Sequence, residues 1–205
     1  MECPAAVVDL LRSLHHTDKD ITLAINQLNC QFSDLAWQLF SNKEIWYVLY
    51  AAVAFFLFRR LGWKKALVVI AACILCIVGC DQFANFTKAA AGRLRPCCDG
   101  EMISRGLHIL EGYGGRYGFY SAHAANAMGF AVCSAIGFRL DRRHSYRPYS
   151  ILITVWALLV GFSRIFVGKH FFGDVMTGFL VGAAVGFALG KISTAICRKW
   201  LDRKD

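Results

Sequence analysis

Charge is what this 205-residue chain has least of: Asp, Glu, Lys and Arg together make up only 18% of it. A soluble domain carries about a quarter. With 57% hydrophobic residues and a mean hydropathy of +0.44, the composition excludes an ordinary soluble domain. Acidic residues are the scarcer sign, 14 against 23 basic, for a net charge of +9. A balance this basic can serve nucleic acid. Here, however, the lysines and arginines sit in short clusters between long apolar runs, which is the pattern of a membrane protein. A secretory leader is missing as well: Met1–Leu14 carries Glu2 and Asp9 and has no sustained apolar core. Insertion is therefore expected to rely on the apolar segments of the chain itself.

Metal-binding spacing is also absent. Nine cysteines are present, but no paired CxxC and no Cys/His set has zinc spacing. Cys73, Cys76 and Cys80 recur at helical intervals in an apolar run, where a reduced thiol behaves as a small hydrophobe. Cys97 and Cys98 are adjacent, and a bridge between them would be strained. A link from Cys30 to either needs both on an oxidising face.

What the chain does have is five apolar segments: Ile45–Phe58, Ala66–Cys80, Phe119–Phe138, Tyr149–Phe162 and Val175–Ile196. Several are shorter than the roughly 20 residues that cross a bilayer. Trp46, Tyr47, Arg59 and Arg60 extend the first by anchoring and snorkelling, and the second continues through Asp81, Phe83 and Phe86. The expectation is an all-α polytopic bundle of about five transmembrane helices, six being possible, forming one domain over 1–205. Residues 1–44 form an interfacial segment ahead of a core over 45–197. Within that segment Asp20–Phe40 reads as one amphipathic interfacial helix, with Ile21, Leu23, Ile25, Leu28, Phe32, Leu35, Trp37 and Phe40 among Asn, Gln and Asp. Trp37, Trp46 and Trp63 suit interfacial belts, and Trp156 a lipid-facing or packed position.

The charged clusters orient the bundle. Arg59, Arg60, Lys64 and Lys65 crowd one connection; Arg139, Arg142, Arg143 and Arg147 outweigh Asp141 in another; and the tail from Lys191 is basic, whereas the stretch before Ile45 holds six acids against three bases. With five spans the three basic segments share one side, cytoplasmic by the positive-inside rule. The loops 87–117 and 163–174 then lie together on the opposite, outer face. In the last span Gly178, Gly182, Gly186 and Gly190 line one helix face, which suits close helix packing within the chain, or else a dimer seam.

The outer face gathers the residues a phosphate needs. Lys88 is followed by Arg95 and Pro96, Ser121-Ala122-His123 opens the third span, and Ser163-Arg164 precedes His170 and Asp174. Three cations suit the dispersed charge of a phosphoryl group in transfer, and arginine grips phosphate bidentately. A hydroxyl and free N–H groups at a helix start suit an anion. Two histidines permit attack by one imidazole and protonation of the leaving oxygen by the other. Asp174, one helical turn after His170, suits an orienting carboxylate. No cofactor and no metal is required, since the cations do what magnesium does elsewhere. Taken singly, Lys88 and Arg95 read as interfacial anchors and His123 as a histidine bonded to a neighbouring helix; their joint occurrence argues otherwise. His15, His16 and His144 read as surface residues, and His108, Glu111, Arg93, Arg105 and Arg116 as solvated loop residues.

Lys88-x6-Arg95-Pro96, Tyr120-Ser121-Ala122-His123 and Ser163-Arg164-x5-His170-x3-Asp174 resemble the three signature motifs of the type 2 phosphatidic acid phosphatase (lipid phosphate phosphatase) superfamily. The resemblance implies His170 as nucleophile, Asp174 as its orienting partner and His123 as general acid. It implies phosphate binding by Lys88, Arg95, Ser121, Ala122 and Arg164. The family's usual Pro-Ser-Gly-His is Tyr-Ser-Ala-His here; Ala122 keeps its N–H, but its methyl crowds the approach. The short layout is similar to bacterial undecaprenyl-pyrophosphate phosphatases of this superfamily, acting at the outer face of the inner membrane with the C-terminus cytoplasmic. Lipid A, phosphatidylglycerol phosphate and phosphatidic acid are the alternative substrates. The partner is the lipid bilayer and its lipid, without nucleic acid, and the protein is expected to be a monomer or a homodimer. A vanadium haloperoxidase shares the motifs but is a large soluble protein. A transporter or scaffold would carry charge deep in several spans, not at one face.

Overall fold

The computed structural model of the protein describes residues 5–201. Among these the chain is helical without strands, as expected. Two N-terminal helices, α1 (Ala5–Asn26) and α2 (Gln31–Ser41), precede α3 (Tyr47–Ala91), a short α4 (Gly100–Ser104), α5 (Ala122–Phe138), α6 (Arg147–Phe166) and α7 (Phe172–Ile196). Residues 1–4 of the N-terminal segment and 202–205 of the basic tail lie outside the described residues.

Lys43–Ala91, Arg147–Phe166 and Phe172–Lys199 are long and apolar enough to cross a membrane, and Ala122–Phe138 is a shorter apolar helix. The first is two rods. Gly62 sits at φ 74°, ψ 165°, a conformation open essentially to glycine alone, and breaks α3 there. Tyr50 and Ile77, Val53 and Ile74, Leu57 and Ile70 then line one cavity, so the rods run antiparallel. Five apolar rods result, matching the five segments of the sequence with longer ends. The second rod passes Asp81, Phe83 and Phe86 to Ala91, where Gly92 at φ 58° caps it. Helical starts differ from the sequence boundaries at α5, which opens at Ala122 rather than Phe119, and at α6, which persists to Phe166.

Helix α5 is the centre of the bundle: 13 of its 17 residues are buried. Its alanines favour the helix, and alanine and glycine together give it a thin cross-section, so α3, α6 and α7 close around it. The glycine stripe of α7 is used here, within the chain. A Cβ on Gly182 would lie 2.2 Å from the Ala125 carbonyl oxygen, and one on Gly186 2.4 Å from that of Gly129. The stripe therefore gives no dimer seam. Because the obstacle is backbone, it cannot yield by a rotamer change. Gly182→Val should force α5 and α7 apart and cost at least the roughly 1–3 kcal/mol of overpacking. A thermal melt in detergent checks this; an unchanged midpoint would contradict the packing.

The N-terminal segment is two helices, not one: Cys30 caps α2 by accepting from Ser33 N, and residues 27–30 turn the chain. Polar groups share the inward stripe of α1 with Leu23, which packs on Met102, Leu107 and Phe171. Lys19 pairs with Asp99 and Glu101, each at 2.7 Å. Asn26 donates to the carbonyls of His108, Ile165 and Phe166 and accepts from His108 N. Leu10, Leu11 and Leu14 stay exposed on the outside, the arrangement of a helix lying in the interface. Trp156 is packed, against Trp46 and Tyr50, while Trp63 is exposed.

The basic connections share one end of the bundle. Arg59, Arg60 and Lys65 line a cleft with Arg142, Arg143 and His144, and the Cys197 thiol reaches the Lys65 carbonyl. The motif-bearing loops occupy the other end.

Candidate active site

At that end the chain between α3 and α5 folds back on itself. Leu94 pairs with Tyr117, Arg95 N donates to Arg116 O and Gly118 N to Arg93 O. This ladder carries Arg95, whose Nε donates to Tyr117 O at 3.1 Å. Gly118 is required for it: a Cβ there would stand 3.0 Å from the Arg95 side chain. Cys97 N donates to Gly168 O, tying this loop to the turn between α6 and α7.

That turn wraps around one carbonyl: Lys169 N and His170 N both donate to Arg164 O, at 2.9 and 3.1 Å. Gly168 at φ 77° makes the reversal. His170 thus lies just ahead of α7, and its meeting with Asp174 comes from the helix cap rather than from two turns of one helix. Asp174 Oδ2 accepts from Phe171 N at 3.1 Å and stands 3.5 Å from His170 Nδ1. The alignment falls short of a hydrogen bond, and Nδ1 is left without a partner. Catalytic contacts of this kind commonly tighten only when substrate is bound. With Nδ1 turned to the carboxylate, Nε2 is the nitrogen free for another group. Burial depresses the His170 pKa; the Asp174 carboxylate opposes it, Arg164 and Arg95 reinforce it, and the value settles at about 4. The ring is therefore neutral at physiological pH.

Ser121 caps α5, its Oγ accepting from Ala124 N, and its own N–H donates to Asp174 O. Tyr120, in place of the family's proline, is buried with its hydroxyl on the Cys80 carbonyl and so ties the start of α5 to the second rod of α3. Ala122 is buried beside it. His123 follows; Arg164, His170 and Lys88 are the foremost charges acting on its ring. Those acting on Lys88 include Arg95, Arg164 and Asp174. Arg164 is buried, with one guanidinium nitrogen on Ser41 and 3.4 Å from both Glu111 oxygens. The structure therefore brings all eight sequence-derived residues to one end of the bundle. Among the described residues the cysteines are free thiols, Cys30 included, so no link joins it to Cys97 or Cys98.

A family model for the PAP2 superfamily matches residues 67–196. The chain belongs to the PAP2 superfamily. Lipid A 4'-phosphatase of Bacteroides thetaiotaomicron is 33% identical over 180 residues, covering 87% of this chain and 77% of the relative. Lipid A 4'-phosphatase of Porphyromonas gingivalis is 31% identical over 186 residues, covering 90% and 76%. Among solved structures, a transmembrane PAP2 type phosphatidylglycerolphosphate phosphatase from Bacillus subtilis matches with a TM-score of 0.71 at 18% identity, over 91% of this chain and 89% of that one. LpxE of Aquifex aeolicus matches with a TM-score of 0.59 at 24% identity, over 86% and 93%. These structural likenesses are of fold. This PAP2 protein is a multi-pass membrane lipid phosphatase.

Three PAP2-site neighbours differ from their reading as solvated loop residues. Arg93 joins two carboxylates: its Nη1 is 2.7 Å from Asp174 Oδ1 and its Nη2 2.5 Å from Asp18 Oδ2, with the guanidinium 4.3 Å above the Phe171 ring. Glu111 faces Arg164 and accepts from Ser41. His108 is held by Asp34 at 3.0 Å. Lys169, unremarked in the sequence, is buried, donates to Gly112 O and has its pKa lowered by that burial. Helix α1 also finishes the start of α7: Thr22 Oγ1 accepts from Phe172 N and Asp18 Oδ1 from Gly173 N. These groups are the N–H donors that a helix start leaves open. Spacing within a motif cannot reveal them, because each partner is some 50 residues or more away in the chain.

The neutral state of His170 has a kinetic consequence. Above a pKa of about 4 the ring keeps its lone pair, and below it protonation removes the lone pair. With His170 as the nucleophile proposed below, kcat/KM should fall on the acid side only as the pH approaches about 4, the value of the substrate-free ring. A limb centred near 6.5, the ordinary histidine value, would contradict this environment.

Proposed function

We propose that this PAP2 enzyme removes a phosphate monoester from the sugar headgroup of a lipid A-type glycolipid, through a phosphohistidine on His170. The observation that carries the chemistry is the buried His170, 3.5 Å from Asp174, with Arg164 and Arg95 near enough to act on its ring. The substrate follows from the two lipid A 4'-phosphatases similar over most of the chain. Undecaprenyl pyrophosphate, expected from the short layout, becomes the second reading.

In the first step His170 Nε2 attacks phosphorus. The P–O bond to the sugar breaks with its electron pair going to oxygen, which takes a proton from His123. In the second step water attacks the phosphohistidine, His123 recovers a proton from it, the P–N bond breaks and phosphate leaves. Lys88, Arg95, Arg164, the Ser121 hydroxyl and the Ala122 N–H hold the equatorial oxygens. The cationic end of the bundle suits the cytoplasm, which supports a site at the outer face of a bacterial inner membrane. A phosphate-release panel tests the assignment, with lipid A, undecaprenyl pyrophosphate, phosphatidylglycerol phosphate and phosphatidic acid compared on the purified protein. Lipid A should give the highest kcat/KM, and a higher value on undecaprenyl pyrophosphate would reverse the order.

Glu111 holds Arg164 where a phosphate would. Its carboxylate stands in for the anion and must give way to it. Glu111→Gln should therefore tighten inhibition by inorganic phosphate about fivefold, the equivalent of ~1 kcal/mol for a pair in which Arg164 is buried and Glu111 partly exposed. Weaker inhibition would mean that Glu111 aims Arg164 at the substrate instead.

A further inference from the structure

We infer that the cavity beyond His123 is a subsite for the leaving sugar, a pyranose ring bearing hydroxyl or amide groups. This rests on the glycolipid reading above.

In an in-line displacement the leaving oxygen departs opposite the nucleophile. With His170 as nucleophile and His123 as acid, whatever the phosphate was attached to lies on the His123 side. A cavity of about 220 Å³ opens there, between the two rods of α3, α5 and α6, with His123, Asn126, Asp81, Trp46, Tyr50 and Trp156 among its lining. None of His170, Lys88, Arg95 and Arg164 lines it. It is thus set apart from the phosphate cage and joined to it through the acid alone.

Its chemistry is unlike that of a lipid-chain groove. Two of its lining residues carry a polar atom that is buried without a hydrogen-bond partner: the Asn126 carbonyl oxygen and the Trp156 indole nitrogen. Trp156 is 8% exposed. Buried polar groups are nearly always satisfied, so an unmatched acceptor and an unmatched donor in one cavity call for a ligand that supplies both. A hydroxyl is a donor and an acceptor at once, and a secondary amide offers the same pair. The aromatic walls present electron-rich faces to the C–H bonds of a saturated ring. Asn126 lies three residues after His123 on α5, on the same face and one turn deeper.

Size and charge narrow the occupant. Pockets for drug-sized ligands run to ~300–1,000 Å³, so this one takes about a single ring. Lys43 and Asp81 both line it, one charge of each sign, so the lining holds no net charge to draw in the second phosphate that the leaving group of a prenyl pyrophosphate carries. A diacylglycerol offers one hydroxyl, its leaving oxygen, and no ring.

The test uses the full chain purified in detergent and two probes, lipid A carrying a phosphorylated glucosamine and phosphatidic acid. The reading is the ratio of their kcat/KM values. Asn126→Leu should lower the ratio roughly 10- to 100-fold, the cost of leaving a buried partner unmatched. Trp156→Phe, which keeps an aromatic ring and loses only the donor, should lower it about tenfold and guards against a packing artefact in the first variant. A ratio unchanged in both variants, including an equal loss on both probes, overturns the subsite. If the unaltered protein hydrolyses phosphatidic acid but not the glycolipid, the glycolipid reading has failed instead.

Discussion

Replacing His170 by alanine should abolish phosphate release, with a fall in kcat of about 10⁴–10⁶-fold, as when a catalytic nucleophile is removed elsewhere. The protein should remain folded. The ring is buried, but its ties are few: Nδ1 has no hydrogen-bond partner, and the turn is held by backbone bonds from Lys169 and His170 to the Arg164 carbonyl. Alanine preserves that backbone and relieves a buried imidazole of its desolvation. The melting midpoint in detergent should therefore move little while turnover disappears. Retained turnover would remove His170 from the reaction. Lost turnover with an unfolded protein would assign it a structural role.

The second large effect concerns the carboxylate behind that ring. Asp174→Asn keeps the shape but substitutes an amide that can donate to Nδ1 and so favours the tautomer with the proton on Nε2, where no lone pair remains for attack. In a hydrolytic triad the same exchange costs about 10⁴-fold, and a loss of roughly 10³–10⁴-fold is expected here. Arg93 acts through Asp174 as a positioning residue. Its two nitrogens fix Asp174 from one side and Asp18 from the other. Arg93→Met should lower kcat about 10- to 100-fold, the usual scale for a supporting contact, with KM nearly unchanged because Arg93 does not face the phosphate. Arg93→Lys, which restores a charge but not the fork, should recover part of the loss. A change in KM alone would place Arg93 in substrate binding. The charge relay from α1 also means that the N-terminal helix is part of the site's framework, since Asp18 holds both Arg93 and the Gly173 amide.

What the sequence made legible was whatever depends on local spacing. Apolar runs give the rods, and the motifs give the residues that cluster at one end. The four glycines of α7 were readable as a close-packing face, and their partner is α5. Less was legible where the partner is distant. Nothing near Arg93 announces Asp174, and nothing near Glu111 announces Arg164, so both looked like solvated loop residues. Helix α1 misled for a different reason. Leu10, Leu11 and Leu14 turn outward, and beside Leu23 its inward side carries Lys19, Thr22 and Asn26, because the groups it must satisfy include backbone donors and acceptors at the ends of α6 and α7. An amphipathic pattern reports that two faces differ, not which one faces the bundle. The break at residues 27–30 was missed because apolar residues continue through it in Leu28 and Phe32.

The central claim is that phosphate passes through His170, and rapid quench with a ³²P-labelled glycolipid substrate tests it most directly. The unaltered protein should yield a labelled phosphoenzyme that is stable in alkali and lost in acid, the signature of a phosphoramidate, and the His170→Ala protein should yield none. Label that persists in the His170→Ala protein, or label that appears on His123, would contradict the account.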